Sequence, residues 1–124
     1  MTMAMTKELY DALKDIRESF LNDLVNQIGQ MEEFCKYLDD PDYALPAIVG
    51  LQGIVHKISG IAGSVGFPKL GEEAGRLDIA FGEIVQEPYD AASIDAVRGQ
   101  LESFLYRLED AFEEKLVPTE DGRF

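Results

Sequence analysis

Two residue types with strong nucleophilic or metal-binding chemistry occur once each in this 124-residue chain, His56 and Cys35. A lone cysteine forms no disulfide framework and no multi-cysteine zinc site, and a lone histidine excludes the paired-histidine metal sites. Glu-x-x-His metal spacing is also missing, because Gly53 stands three residues before His56. No metal site is expected on this chain. What remains is the imidazole as a nucleophile. A carboxylate that holds Nδ1–H fixes the tautomer and leaves Nε2 as an outward lone pair. Asp78 is the candidate carboxylate, 22 residues further on.

Those two residues need elements that bring them together. Apolar residues recur at helical spacing almost from end to end, with no sustained period of two, which predicts an all-α chain. Leu9, Leu13, Ile16, Phe20, Leu24, Ile28, Met31, Cys35 and Leu38 form the first stripe, which places Cys35 in the core. The stripe contains no proline and fits either one long helix or a short helix leading into a long one. The reading adopted places a break near Asp15 to Glu18, giving helices over 6–15 and 17–39. Asp39-Asp40-Pro41-Asp42 ends this stretch. Further helices follow over 43–65, 68–87 and 91–116, punctuated by Gly66-Phe67-Pro68 and Pro88, with a frayed tail over 117–124. Four helices of about 20 residues, each about 30 Å long, make an antiparallel up-down-up-down four-helix bundle as a single domain, with a short N-terminal capping helix.

In such a hairpin His56 lies ten residues before Gly66 and Asp78 twelve after it, so both stand about 15 to 18 Å from the turn. At about 100° per residue, Leu51, Ile54, Val55, Ile58, Ile61, Ala62 and Val65 fill the apolar arc and His56 points away from it. Within about 60° of His56 lie Gln52, Gly53, Ser59, Gly60 and Gly63, a floor with little side-chain bulk. Gly71, Gly75 and Gly82 form a second bare stripe around Asp78. A glycine in a helix interior costs about 1 kcal/mol relative to alanine. Close packing between the two helices explains some of them, but not why the single histidine stands among them. The floor is read as a docking surface formed by Gln52, Gly53, Gly60, Gly63, Gly71, Gly75 and Gly82. Lys69 and Arg76 project to the opposite flank as a solvated face, and the tyrosines show no site-like spacing.

The run from His56, His-Lys-Ile-Ser-Gly-Ile-Ala-Gly-Ser-Val-Gly-Phe-Pro-Lys-Leu, resembles the signature of the histidine-containing phosphotransfer (HPt) family at His56, Ile58, Gly60, Ala62, Gly66 and Leu70. Asp78 falls where the family commonly carries a glutamate or glutamine. The resemblance implies that His56 takes a phosphoryl group on Nε2 from a receiver-domain aspartate and passes it to another receiver. It also implies a partner-borne Mg²⁺, no cofactor on this chain, and receivers of response regulators and hybrid histidine kinases as partners. The chain would be a phosphocarrier with no kinase activity of its own, in keeping with the absence of GxGxxG and GxxxxGK[ST] phosphate loops. Because phosphoryl transfer depends largely on positioning, one histidine on a suitable surface is enough.

Two positions depart from that pattern. The family lysine three residues after the histidine is Ser59 here, so Lys57, about 100° round the helix, or Ser59 itself is assigned to steady the phosphoryl oxygens. Asp78 is one methylene shorter than glutamate, which predicts a longer or water-mediated bond to His56.

Charge narrows the partners. With 11 Lys and Arg against 24 Asp and Glu the formal net charge is −13, which disfavours nucleic acid and anionic lipid. No apolar run is read as a membrane span and no signal-peptide pattern follows Met1 to Met5, so a cytoplasmic protein is expected, and a monomer, since the bundle can bury its own stripes. Two alternatives to the relay reading stay open: a phospho-acceptor for a separate histidine kinase core, and a helical bundle that binds receivers without chemistry.

Overall fold

The structure is a computed structural model that describes residues 6–86 and 90–112. Four helices pack together: α1 (Lys7–Cys35), α2 (Ala44–Ile61), α3 (Pro68–Gln86) and α4 (Ala91–Ala111). No strand occurs among the described residues. Pro88, the last residues expected in the fourth helix (113–116), the tail 117–124 and Met1 to Met5 lie outside the described residues.

The pairings are antiparallel. Phe34, late in α1, lies against Gly50, early in α2, while Phe20 meets Phe67, just beyond α2, with ring centroids 5.8 Å apart. Glu73, early in α3, accepts an ion pair from Arg107, late in α4, at 2.6 Å. Arg98, early in α4, reaches Asp39 after the end of α1 at 2.5 Å. The core is filled by Leu24, Met31, Leu51, Val55, Ile58, Phe81, Leu101, Phe104 and Leu108, each at most 1% exposed.

The turns use identifiable residues. Asp40 Oδ1 accepts from the Asp42 N–H at 2.9 Å, and Ala44 N–H returns to the Asp40 carbonyl at 2.8 Å, which turns the chain from α1 into α2. The expected second helix ends in a 3-10 turn, Ala62–Val65, rather than continuing as α-helix. Gly66 then takes a left-handed conformation, φ 96°, and the Phe67 N–H donates back to the Ala62 carbonyl at 2.8 Å. This turn fixes the height at which α2 and α3 face each other.

The break expected near Asp15 to Glu18, and with it the short N-terminal capping helix, is absent: α1 is one helix of 29 residues. Arg17 is the reason. It is 5% exposed, and its guanidinium lies 4.1 Å from the centre of the Phe67 ring, so the polar run is carried through by a cation stacked on the core's edge. At 1.5 Å per residue α1 spans about 43 Å against about 27 Å for α2. Its first turns extend beyond the end of α2, and Leu9 and Ile16, expected in the core stripe, are 48% and 52% exposed. Thr6 caps this end by accepting the Leu9 N–H at 3.1 Å.

The segment Ala44–Val65 is long and apolar enough to pass as a membrane span by length and composition, a point the sequence reading missed. Its apolar arc, including Leu51, Val55, Ile58 and Ala62, is buried against the other helices. One member expected in that arc, Ile61, is instead 45% exposed.

Candidate functional site

His56 is held outward by what lies beneath it. Leu51, Val55 and Ile58 are each at most 1% exposed, and burying side chains of this size stabilises by about 1.5 to 3 kcal/mol each. Their burial fixes the rotation of α2, and the imidazole, on the opposite side, is 75% exposed. His56 Nδ1 lies 2.7 Å from Asp78 Oδ2. The shorter aspartate therefore reaches the ring directly, correcting the expectation of a long or water-mediated bond. An ionised carboxylate can only accept, so the Nδ1 proton is the one it holds, and a neutral ring keeps its lone pair on Nε2.

Asp78 is itself held. Its side chain is 22% exposed, and Gln52, one helical turn before His56, donates from Nε2 to Asp78 Oδ1 at 3.2 Å and to the Asp78 carbonyl at 3.4 Å. Its projection near His56 predicts a docking role for Gln52, but its half-buried amide is directed onto α3. The missing signal was distance across the helix pair, which a one-helix projection does not contain.

The glycine floor separates into two groups. At Gly53, Gly60, Gly63 and Gly75 an added Cβ would meet nothing within 4 Å, so these positions are open at the surface. Gly71 is different: a Cβ there would lie 3.4 Å from the Gly63 nitrogen and 3.6 Å from Ala62 Cβ, so it serves the close approach of α3 to the turn. Gly82 leaves room for Gln52, whose Nε2 would stand 3.0 Å from an added Cβ. Gly71 and Gly82 thus pack the helix pair rather than forming an open docking floor.

Lys57 is exposed. The Ser59 hydroxyl donates to the His56 carbonyl at 3.0 Å, a bond within α2 that directs its proton away from the ring. Two apolar residues absent from the sequence reading share the His56 face of α2. Leu45 and Val49 project within about 40° of it and are 41% and 51% exposed. Ile79, next to Asp78 on α3, is 66% exposed. Exposed apolar side chains on the same helix face as an open histidine, about two to three turns from it for Val49 and Leu45, suit a macromolecular surface better than a small-molecule cavity. A groove of about 320 Å³ lined by Phe67, Lys69, Leu70 and Arg107 does not include His56. Among the described residues no group of three or more His, Cys, Asp or Glu could hold a metal ion.

The fold is thus an antiparallel four-helix bundle that presents one carboxylate-held imidazole at its surface. The sequence model of the Hpt domain matches residues 15–114, and the chain belongs to that family. Hpt domains act in phosphotransfer within two-component phosphorelays and interact with receiver domains. No curated protein and no solved structure matches the chain.

Proposed function

We propose that this protein is a phosphorelay intermediate that takes a phosphoryl group on His56 Nε2 from the phospho-aspartate of one receiver and delivers it to the aspartate of another. The 2.7 Å contact between Nδ1 and Asp78 Oδ2, on a ring 75% exposed, carries this reading. The Nε2 lone pair attacks phosphorus as the bond from phosphorus to the aspartyl oxygen breaks, and the receiver's carboxylate leaves with that electron pair. The Nδ1 proton stays where it is. Phosphorylation at Nε2 leaves the ring cationic, and the Asp78 carboxylate stabilises that charge directly. In the return step the second receiver's carboxylate attacks the same phosphorus and the neutral imidazole leaves.

Any Mg²⁺ would be held by the receiver, where it would supply charge neutralisation to the phosphoryl oxygens, and no residue of this chain is assigned to hold it. On this chain, Lys57 is the side chain proposed to approach those oxygens, since the Ser59 proton is directed to the His56 carbonyl. Gly53, Gly60, Gly63 and Gly75 give the receiver's loops access, with Leu45, Val49 and Ile79 as apolar contacts. Receivers of response regulators and hybrid kinases are the proposed partners, in the cytoplasm, with the chain acting as a monomer.

Incubation with a labelled phospho-receiver tests the assignment. The expected product is an acid-labile, alkali-stable phosphate on this chain, lost in His56→Gln while receiver affinity is retained. Label from a separate kinase core but from no receiver would favour the kinase-acceptor reading. Binding of receivers without any label would favour the non-catalytic one.

A further inference from the structure

Asp78 presents two carboxylate oxygens, and α2 engages both. Oδ2 faces His56 Nδ1 at 2.7 Å, and Oδ1 accepts from Gln52 Nε2 at 3.2 Å. The same Gln52 nitrogen approaches the Asp78 carbonyl at 3.4 Å. One NH₂ group carries two hydrogens, so a single side chain can serve both acceptors of one residue. Turning the amide over would place its oxygen against a carboxylate and a carbonyl, three acceptors with no proton among them. Gln52 and His56, four residues apart, share a face of α2, so Asp78 is gripped from two consecutive turns of the neighbouring helix.

Gly82 completes the arrangement. It lies one turn after Asp78 on α3, and a Cβ there would stand 3.0 Å from the Gln52 nitrogen. A side chain at position 82 would press on the amide that holds the aspartate. The open glycines near His56 expose the ring to partners, whereas this one leaves room for an internal hydrogen bond.

We infer that Gln52 is a positioning residue that acts through Asp78 to hold the His56 proton on Nδ1 and the ring in one orientation. This rests on the proposed transfer at His56 for its consequence, though not for its geometry. With Gln52 in place, rotation of the Asp78 carboxylate also breaks the Oδ1 bond to the amide, which the Asp78 carbonyl helps to hold in position. Without it, Oδ2 is free to leave the ring, and the tautomer protonated on Nε2, which has no lone pair to attack phosphorus, becomes populated.

Two variants test this. Gln52→Leu removes the donor, and the near-isosteric Gln52→Glu sets an acceptor against Asp78, with thermal unfolding showing that each is folded. Imidazole ¹⁵N spectra of the protein alone should show one tautomer in the wild type, with the lone pair on Nε2, and a mixture in both variants. Transfer from a phospho-receiver should fall by about ten- to a hundredfold, by analogy with the loss of an outer hydrogen-bond partner of a metal-ligating histidine, with receiver Kd unchanged. In an Asp78→Asn background Gln52→Leu should add little further loss, since the two act as one unit. A wild-type tautomer in both variants overturns the inference, as does a raised receiver Kd with unaltered spectra, which would return Gln52 to docking. Should the wild type accept no phosphate from any receiver, the transfer proposal fails, while the spectra still decide whether Gln52 holds the ring.

Discussion

Gly53 and Gly60 flank His56 by about one turn on either side, and the structure leaves open space where a Cβ would stand at each. Packing within the chain therefore gives no reason to keep glycine there. Alanine at Gly53 removes the glycine penalty of a helix interior, a stabilisation of about 1 kcal/mol and a rise of about 4 °C in Tm for a domain of this size. Leucine at either position also has room in the free protein, but it projects several ångströms into the space a partner must enter to reach Nε2. Overfilling a close-packed contact costs about 1 to 3 kcal/mol, which converts to about a 5- to 150-fold loss of receiver affinity. Thermal unfolding, calorimetric titration with a receiver and transfer of label would be measured on Gly53→Ala, Gly53→Leu and Gly60→Leu. The expected pattern is a stability equal to or above wild type for all three, with affinity and transfer reduced for the leucine variants. Leucine variants that bind and transfer as well as wild type would refute the idea that this bare floor exists for a partner.

Other consequences follow from the same structure. Gly50→Ala should destabilise despite alanine's helix preference, because its Cβ would stand 2.5 to 2.9 Å from three Phe34 ring atoms; a net loss of about 1 to 2 kcal/mol in denaturant unfolding is expected, and a gain would show that the ring swings away freely. Burial raises the Cys35 thiol above its usual range, with Arg98 opposing and Glu102 and Glu32 reinforcing. Alkylation near pH 8 should thus be slower in the folded than in the denatured chain, and equal rates would contradict this placement. The Asp90 carboxyl is held below its usual range, chiefly by the Ser93 hydroxyl and then by the Ala92 N–H. The stability this cap gives α4 is present above the ordinary carboxylate range and lost as pH falls through the depressed value. The Tm gap between wild type and Asp90→Ala should hold near pH 7 and narrow below about pH 4; a gap independent of pH would contradict the role of the charge.

Helix type, turn position and the His56–Asp78 pairing were legible because each depends on counting along the chain. Periodicity marks the apolar faces, Gly66 and Pro41 mark the ends, and a hairpin of known rise sets two residues at one height. The roles of Gly71, Gly82 and Gln52 were not legible, since they depend on how closely two helices approach rather than on which face a residue occupies. Nor was the continuity of α1. A polar run containing Arg17 reads as an interruption until Phe67, distant in sequence, is placed beneath the guanidinium. Leu9 and Ile16 follow the core spacing, but the segment they occupy extends past the end of α2, and spacing carries no information about where a neighbouring helix stops.

The most direct measurement is the position of the phosphoryl group after incubation with a phospho-receiver. Phosphorus–nitrogen coupling on ¹⁵N-labelled protein should place it on His56 Nε2, with Nδ1 still protonated toward Asp78. Phosphate on Nδ1, on another residue, or retained by His56→Gln would contradict the account.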